Sequence, residues 1–426
     1  MNHTLSGPAR GNSLLIHLLL FCLPFLTLIS SFGVGLCSFA FLLAAVLTRR
    51  EGMAALRRHW PQVRGVLLAF GLGLAFAVLL MVLRHGVHLR ALEKPGRMLA
   101  AATVMLAVLA CRPSRRALWW GLIAGAVAGA AFSVYQRWGM GMQRPGGLIN
   151  SITFGDIVLC MGLMCLAAGS DFKGRQALWP ALGALAGLVG SIATGTRGGW
   201  VAVLFAGVLM VSYGHVLRGR PRQCAALAAL ALLAASYFVP QTGARQRLEQ
   251  GVADVQTYFG GGNAYSNMGV RLELWRGAAM LIERHPLSGA AAPQVKAELV
   301  ELAAGGKLDP FVLQFDHFHN DIVQALVYGG VLGLLVWGAT LLLPLLFFLR
   351  ILRRRPDAAA GLLAPALAGA LLVVCYFSFG LTEVIFWSVR STMFYALMLF
   401  LLMGLCLNAQ DEAAAAAAAP ADKAAA

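Results

Sequence analysis

The sequence predicts an all-α, polytopic membrane protein with about twelve transmembrane helices and a small helical loop segment outside the bilayer. Three observations predict it. Of the 426 residues, 59% are hydrophobic, against roughly 45–50% in an average soluble domain, and the mean hydropathy is +0.74. The apolar residues gather into runs approaching the about 20 residues a helix needs to cross a hydrocarbon core. Basic residues recur after alternate runs, as expected when one side of the membrane collects them. The net charge of +16 then points to anionic lipid and to orientation rather than to nucleic acid.

In chain order the runs fall at 13–29, 32–48, 64–83, 98–111, 117–136, 152–169, 177–194, 199–217, 223–239, 331–349, 359–380 and 386–407. The first follows Arg10 as a signal peptide would, but no small-x-small cleavage site comes after it and further spans do. It therefore reads as the first transmembrane helix. The eight cysteines lie in or beside these runs. Their spacing fits neither a zinc site nor a disulfide framework, and they read as small buried hydrophobes.

Arg49, Arg50, Arg57 and Arg58 follow the second run, and Arg112, Arg115 and Arg116 the fourth. Lys173 and Arg175 follow the sixth, Arg218, Arg220 and Arg222 the eighth, and Arg350, Arg353, Arg354 and Arg355 the tenth. All five groups fall on one side, which is taken as cytoplasmic together with both termini. The opposite loops keep Arg84, Arg90, Lys94, Arg97, Arg137, Arg144 and Arg197. Basic residues on the unfavoured side need a reason, and binding an anion is one. On that ground Arg84, Arg90 and Lys94 are candidate substrate-binding residues.

The chain divides into residues 1–239 with nine spans, an external helical loop segment at 240–318, residues 319–407 with the last three spans, and an alanine-rich cytoplasmic tail at 408–426. In the loop segment Leu248, Val252, Val255 and Phe259 recur at helical spacing, as do Leu272, Trp275, Ala279 and Ile282. Ser266 or Asn267 can cap the second helix, and Pro286 ends it. Too few apolar residues are present for an independent domain, so the segment is expected to pack on the bundle as a lid.

Three stretches carry chemistry. The first is Thr194-Gly195-Thr196-Arg197-Gly198-Gly199-Trp200, at the external junction of two runs. The second is Arg271-Leu272-Glu273-Leu274-Trp275-Arg276, followed by His285-Pro286-Leu287-Ser288-Gly289. The third is Asp316-His317-Phe318-His319-Asn320-Asp321, with Gln324 just beyond and Gly330-Val331-Leu332-Gly333 after it. Polar groups crowded against a bilayer are costly unless paired or used. Arginine is always charged and holds phosphate oxygens bidentately. A neutral histidine can take a proton from a hydroxyl. His317 and His319 are two residues apart, so on a helix they would point apart. Asn320 and Gln324, one helical turn apart, either orient the site or bond each other. The sequence contains no Asp-x-Asp, the usual handle for a metal-bound nucleotide sugar.

The set resembles the O-antigen ligase and polymerase family of bacterial inner membranes over about residues 190–350. The HN-x9-GxxG stretch is similar to the ligase signature in particular. The resemblance implies a glycosyltransferase C-like fold in the inner membrane with the site facing the periplasm. It implies an undecaprenyl-diphosphate-linked glycan as donor and a sugar hydroxyl of lipid A core as acceptor. Catalytic roles would fall on Arg197, Arg271 and His319, with His317, Asn320, Gln324, Arg84, Arg90 and Lys94 as donor- or acceptor-binding residues. Transfer would be a single inverting displacement, with no cofactor, no metal and no nucleic-acid partner. An O-antigen polymerase and a protein O-oligosaccharyltransferase are the alternatives within the family. A transporter is the rival from another class, and it would place ionisable residues at mid-membrane and show repeats.

Overall fold

The computed structural model describes residues 7–84, 89–196, 198–213, 224, 231, 244–262, 264–354 and 361–418, and its regular structure there is entirely helical. Arg197, Arg218, Arg220, Arg222, Arg355, residues 419–426 and the expected run 223–239, apart from Cys224 and Ala231, lie outside the described residues. In chain order the helices are α1 (Gly7–Ile29), α2 (Gly33–Leu47), α3 (Arg49–Leu83), α4 (Arg90–Ala100), α5 (Thr103–Cys111), α6 (Arg116–Val134), α7 (Ser151–Ala168), α8 (Leu178–Thr194) and α9 (Trp200–Ser212). The second half adds α10 (Ala244–Phe259), α11 (Asn267–Arg284), α12 (Ala292–Ala304), α13 (Asp321–Arg353), α14 (Leu363–Gly380) and α15 (Val389–Ala418).

Among the described residues eight helices are long and apolar enough to cross a membrane, and three shorter apolar ones lie at Leu14–Ile29, Gly33–Leu47 and Trp200–Ser212. These match eleven of the twelve expected runs in position. At the centre, α7, α14 and α15 are almost wholly enclosed. α7 packs on α6, α8 and α14, and α14 packs on α9, α13 and α15. Close approach there uses small residues, as at Gly162 against Gly187. All eight cysteines are free; Cys37, Cys160, Cys165, Cys375 and Cys406 are buried as expected, whereas Cys22 and Cys111 are half-buried and Cys224 is exposed.

Several helices start earlier or end later than the apolar runs, α13 at Asp321 among them. The basic stretch after the second run is helical: α3 starts at Arg49 and carries Arg50, Arg57 and Arg58 on its first turns. Arginine is a good helix former, and nothing before Pro61 obliges the chain to break. The first part of the alanine-rich tail likewise continues α15 to Ala418. Asp411 ties it down, lying 2.9 Å from Arg112 and 3.1 Å from His59.

Among its described residues the loop segment holds three α-helices, and a 3-10 turn at Pro310–Gln314, rather than the two helices marked in the sequence. α12 adds Val295, Leu299 and Leu302 to a small apolar core with Leu274, Ala278, Leu281 and Phe318. Val327 of α13 belongs to the same core, so the segment is docked on the start of α13, as a lid would be. Ser266 caps α11 by accepting from the Gly269 N–H at 3.1 Å.

Candidate active site

The site lies where the loop segment, the start of α13, and the α14–α15 connection meet. Asn320 is the N-cap of α13; its Oδ1 accepts from the N–H groups of Ile322 and Val323 at 2.9 and 3.1 Å. Its Nδ2 donates to the Leu381 carbonyl at 2.9 Å. One side chain thus joins the helix start to the α14–α15 connection. Asp321, next in the chain, is buried and packed against Gly380.

Upstream, residues 315–320 are irregular. His319 has φ +49°, a left-handed conformation uncommon for a side-chain-bearing residue. The segment is held by the Trp275 Nε1–H, which donates to the Phe318 carbonyl at 2.8 Å, and by Gln324 Oε1, which accepts from the Phe318 N–H at 3.2 Å. This geometry corrects the expectation that His317 and His319 diverge. They are not on a helix, and their ring centroids lie 4.3 Å apart.

Both imidazoles face Glu383. His319 Nδ1 lies 3.2 and 3.1 Å from its two carboxylate oxygens, and His317 Nδ1 lies 3.5 Å from one of them. The Glu383 carboxylate also accepts from the Val384 N–H at 3.1 Å. With a carboxylate at Nδ1, the proton of a neutral His319 resides on that nitrogen and Nε2 is the basic one. Burial pushes the Glu383 carboxyl up, but the His319 hydrogen bond and the two imidazole charges more than offset it, leaving the group below its ordinary range. Burial pushes His317 below its ordinary value. His317 also packs on Trp387, centroid to centroid 5.4 Å.

Arg271 is within electrostatic reach of Glu383 and of Arg144, and burial lowers its pKa. It does not pair with Glu273, which is taken up by the Tyr258 hydroxyl at 2.6 Å and the Asp309 N–H at 2.9 Å. Arg197 itself is outside the described residues, but both flanks are placed. Thr196 Oγ1 donates to the Ser151 carbonyl at 3.1 Å. Gly198 sits so close to Thr382, the neighbour of Glu383, that a Cβ would collide with it. Gly199 lies equally close to Asp156, a carboxylate of α7 that is 0% exposed and whose oxygens bond to no described residue.

The other expected binding residues sit around this cluster. Arg84 Nη2 donates to the carbonyls of Ser288 and Tyr328 at 2.7 and 2.9 Å. Lys94 Nζ donates to the Trp387 carbonyl and lies 5.1 Å from that ring's centroid. Both cations therefore brace the backbone beside the site. Arg90 is exposed at the start of α4.

The glycine motif acts through the backbone. Inside α13, Gly330 has φ +61° and breaks the helix. A Cβ there would collide with Leu287 and Ser288. The 286–290 turn docks into the break: Val331 N–H donates to Pro286 at 2.8 Å, Leu332 N–H to Leu287 at 3.2 Å, and Ala290 N–H to Val327 at 2.9 Å. The Pro-x-x-Gly turn and the GxxG stretch are two halves of one joint.

Sequence reasoning missed Glu383. Its signal was a lone acidic residue between the last two apolar runs, on the predicted external side. His317, His319 and Glu383 also form a donor set whose ligand atoms lie within 4.8 Å of one another, close enough for a divalent ion. Arg271 beside them supplies positive charge to the same carboxylate.

The fold and the site describe a polytopic membrane protein with a histidine–carboxylate–arginine cluster at one end of its bundle. Residues 182–338 match the family model described as O-antigen ligase. That stretch runs from α8 through the TRGG turn and the loop segment into α13. Over that stretch, a little over a third of the chain, the protein is similar to the O-antigen ligase family. The chain is also similar to an uncharacterized protein of Haemophilus influenzae, 18% identical over 282 residues, which cover 65% of this chain and 70% of that one.

Proposed function

We propose that the protein transfers a glycan from undecaprenyl diphosphate to a sugar hydroxyl of lipid A core, at the periplasmic face of the bacterial inner membrane. The observation that carries this reading is the Glu383 carboxylate at Nδ1 of His319, with Arg271 close by. Glu383 fixes the imidazole so that Nε2 is the free base, the arrangement that activates hydroxyl nucleophiles generally. The acceptor oxygen attacks the anomeric carbon from the face opposite the diphosphate. Its proton passes to His319 Nε2, the bond from the anomeric carbon to the diphosphate oxygen breaks, and the configuration inverts. Undecaprenyl diphosphate departs with its developing charge on Arg271 and Arg197, whose guanidiniums take the place of a metal ion.

The His317–His319–Glu383 donor set favours a second reading, in which a divalent cation bound there holds the diphosphate. Chelation separates the two readings.

The reaction is tested by the lipopolysaccharide of a deletion strain. Loss of a ligase leaves bare core, with glycan accumulating on its carrier. Core bearing a single repeat would identify a polymerase instead. Unchanged lipopolysaccharide would overturn the proposal.

A further inference from the structure

We propose that the cavity between α10 and the outward side of α11 is a second carbohydrate subsite, one that takes glycan units remote from the reacting sugar; this rests on the glycosyl-transfer reading above. The cavity measures about 610 Å³ and is lined by Tyr258, Phe259, Leu272, Glu273, Arg276 and Asp309. That volume lies within the range of ordinary ligand sites, which runs from about 300 to 1,000 Å³.

Its chemistry is two-sided. The floor is polar and fixed. Glu273 is only 4% exposed, and its carboxylate accepts from the Tyr258 hydroxyl and the Asp309 N–H. Arg276 lies 3.7 Å from the same carboxylate with its side chain half in solvent. Asp309 is anchored by the Phe311 N–H at 3.1 Å. One aromatic ring on the rim, Phe259, is 75% exposed, and a second, Tyr265, stands just outside the lining, 65% exposed and hydrogen-bonded to the lining residue Asp309 at 3.4 Å. Neither belongs to a helix apolar and long enough to span a bilayer. A sugar ring has the complementary shape, with an apolar C–H face to lie on an aromatic ring and hydroxyls for carboxylates and a guanidinium.

Helix α11 links this cavity to the reaction centre. Successive residues turn by about 100°, which puts Leu272, Glu273 and Arg276 on one face and Arg271 and Trp275 on another. From Arg271 to Arg276 the axial rise is about 7.5 Å. A sugar in the cavity is therefore not the one that reacts, but a chain crossing α11 would join the two. Binding of remote units orients the reacting end and raises turnover as well as affinity. Both substrates carry sugar chains, so the experiment must say which one is held.

Full-length protein in detergent is titrated by calorimetry with two probes, core oligosaccharide and O-polysaccharide, each freed of lipid by mild acid treatment of the source strain's lipopolysaccharide. Wild type and His319→Ala should bind one probe alike. The double variant Phe259→Ala/Tyr265→Ala should bind it about tenfold more weakly, as expected for the loss of two aromatic contacts. Phe259→Trp/Tyr265→Trp should restore binding. Phe259 and Tyr265 also pack on Tyr258 and Phe311, so thermal melting of each variant checks that weaker binding is not loss of fold. Binding of core alone assigns the subsite to the acceptor, and binding of polymer alone to the donor. Unchanged affinity in the double alanine variant, or no binding of either probe by wild type, overturns the subsite. A His319→Ala protein that still turns over while the rim variant loses binding overturns the reaction mechanism and leaves the subsite standing.

Discussion

Burial pushes the Glu383 carboxyl up, yet the His319 hydrogen bond and the neighbouring imidazoles hold it below the ordinary range. A carboxylate kept charged at that cost orients the base. Glu383→Gln keeps the shape and removes the charge. It should lower turnover by roughly the 10²–10⁴-fold typical of acid–base catalysis, with little change in KM for donor; wild-type turnover in the variant would remove Glu383 from the mechanism. His317, lowered by burial, binds protons more readily in the unfolded chain. Its contribution to stability is lost as pH falls below the ordinary histidine value of about 6.5. Glu383, lowered on folding, contributes stability above the ordinary glutamate value of about 4.3 and loses it as pH falls through the folded value. Thermal midpoints of the detergent-solubilised protein should therefore drop as pH falls from 7, first through His317 and below about pH 4.3 through Glu383 as well, and Glu383→Gln should flatten only that last part of the curve. A midpoint that rises on acidification would contradict the assignment.

At the scale of elements, the joint between the 286–290 turn and the break in α13 ties the loop segment to the helix that His319 precedes. Gly330 takes a left-handed backbone conformation with no room for a Cβ. Gly330 has φ +61° and ψ −159°, a region kept essentially to glycine that costs a side-chain-bearing residue roughly 1–3 kcal/mol, and the collision with Leu287 adds to it. Gly330→Ala should accordingly lower both the thermal midpoint and activity, whereas Gly338→Ala, which meets open space in the same helix, should leave both unchanged. Equal midpoints for the two variants would refute the joint. Much of this element was legible in the sequence: the HN-x9-GxxG and Pro-x-x-Gly spacings marked the right residues. That they interlock was not legible, because backbone docking leaves no pattern in side-chain type. Nor was the convergence of the two histidines, which depends on the left-handed turn at His319. Glu383 escaped notice because a lone acidic residue in a short connection carries no spacing signal, and only the fold brings it to residue 319.

For the molecule as a whole, hydropathy placed eleven helices correctly, because burial in lipid demands long apolar runs whatever their neighbours. Helix ends were less legible: Arg49–Arg58 and Asp411–Ala418 are polar or low in complexity, yet continue helices that packing and ion pairs extend. Orientation follows from the basic groups and is open to direct test. In an otherwise cysteine-free protein, Gly261→Cys should react with a membrane-impermeant thiol reagent in intact spheroplasts and Arg354→Cys should not. The reverse pattern would put the His319–Glu383 site on the cytoplasmic side.

In the mechanism proposed here, two arginines, one histidine and its carboxylate carry out glycosyl transfer from a lipid diphosphate without a metal ion. Purified protein incubated with undecaprenyl-diphosphate-linked glycan and lipid A–core in the presence of EDTA tests it most directly. Ligated lipopolysaccharide should form at the rate seen without chelator. Activity abolished by EDTA and restored by magnesium or manganese would show that a cation seated on His317, His319 and Glu383 carries the charge assigned here to Arg197 and Arg271.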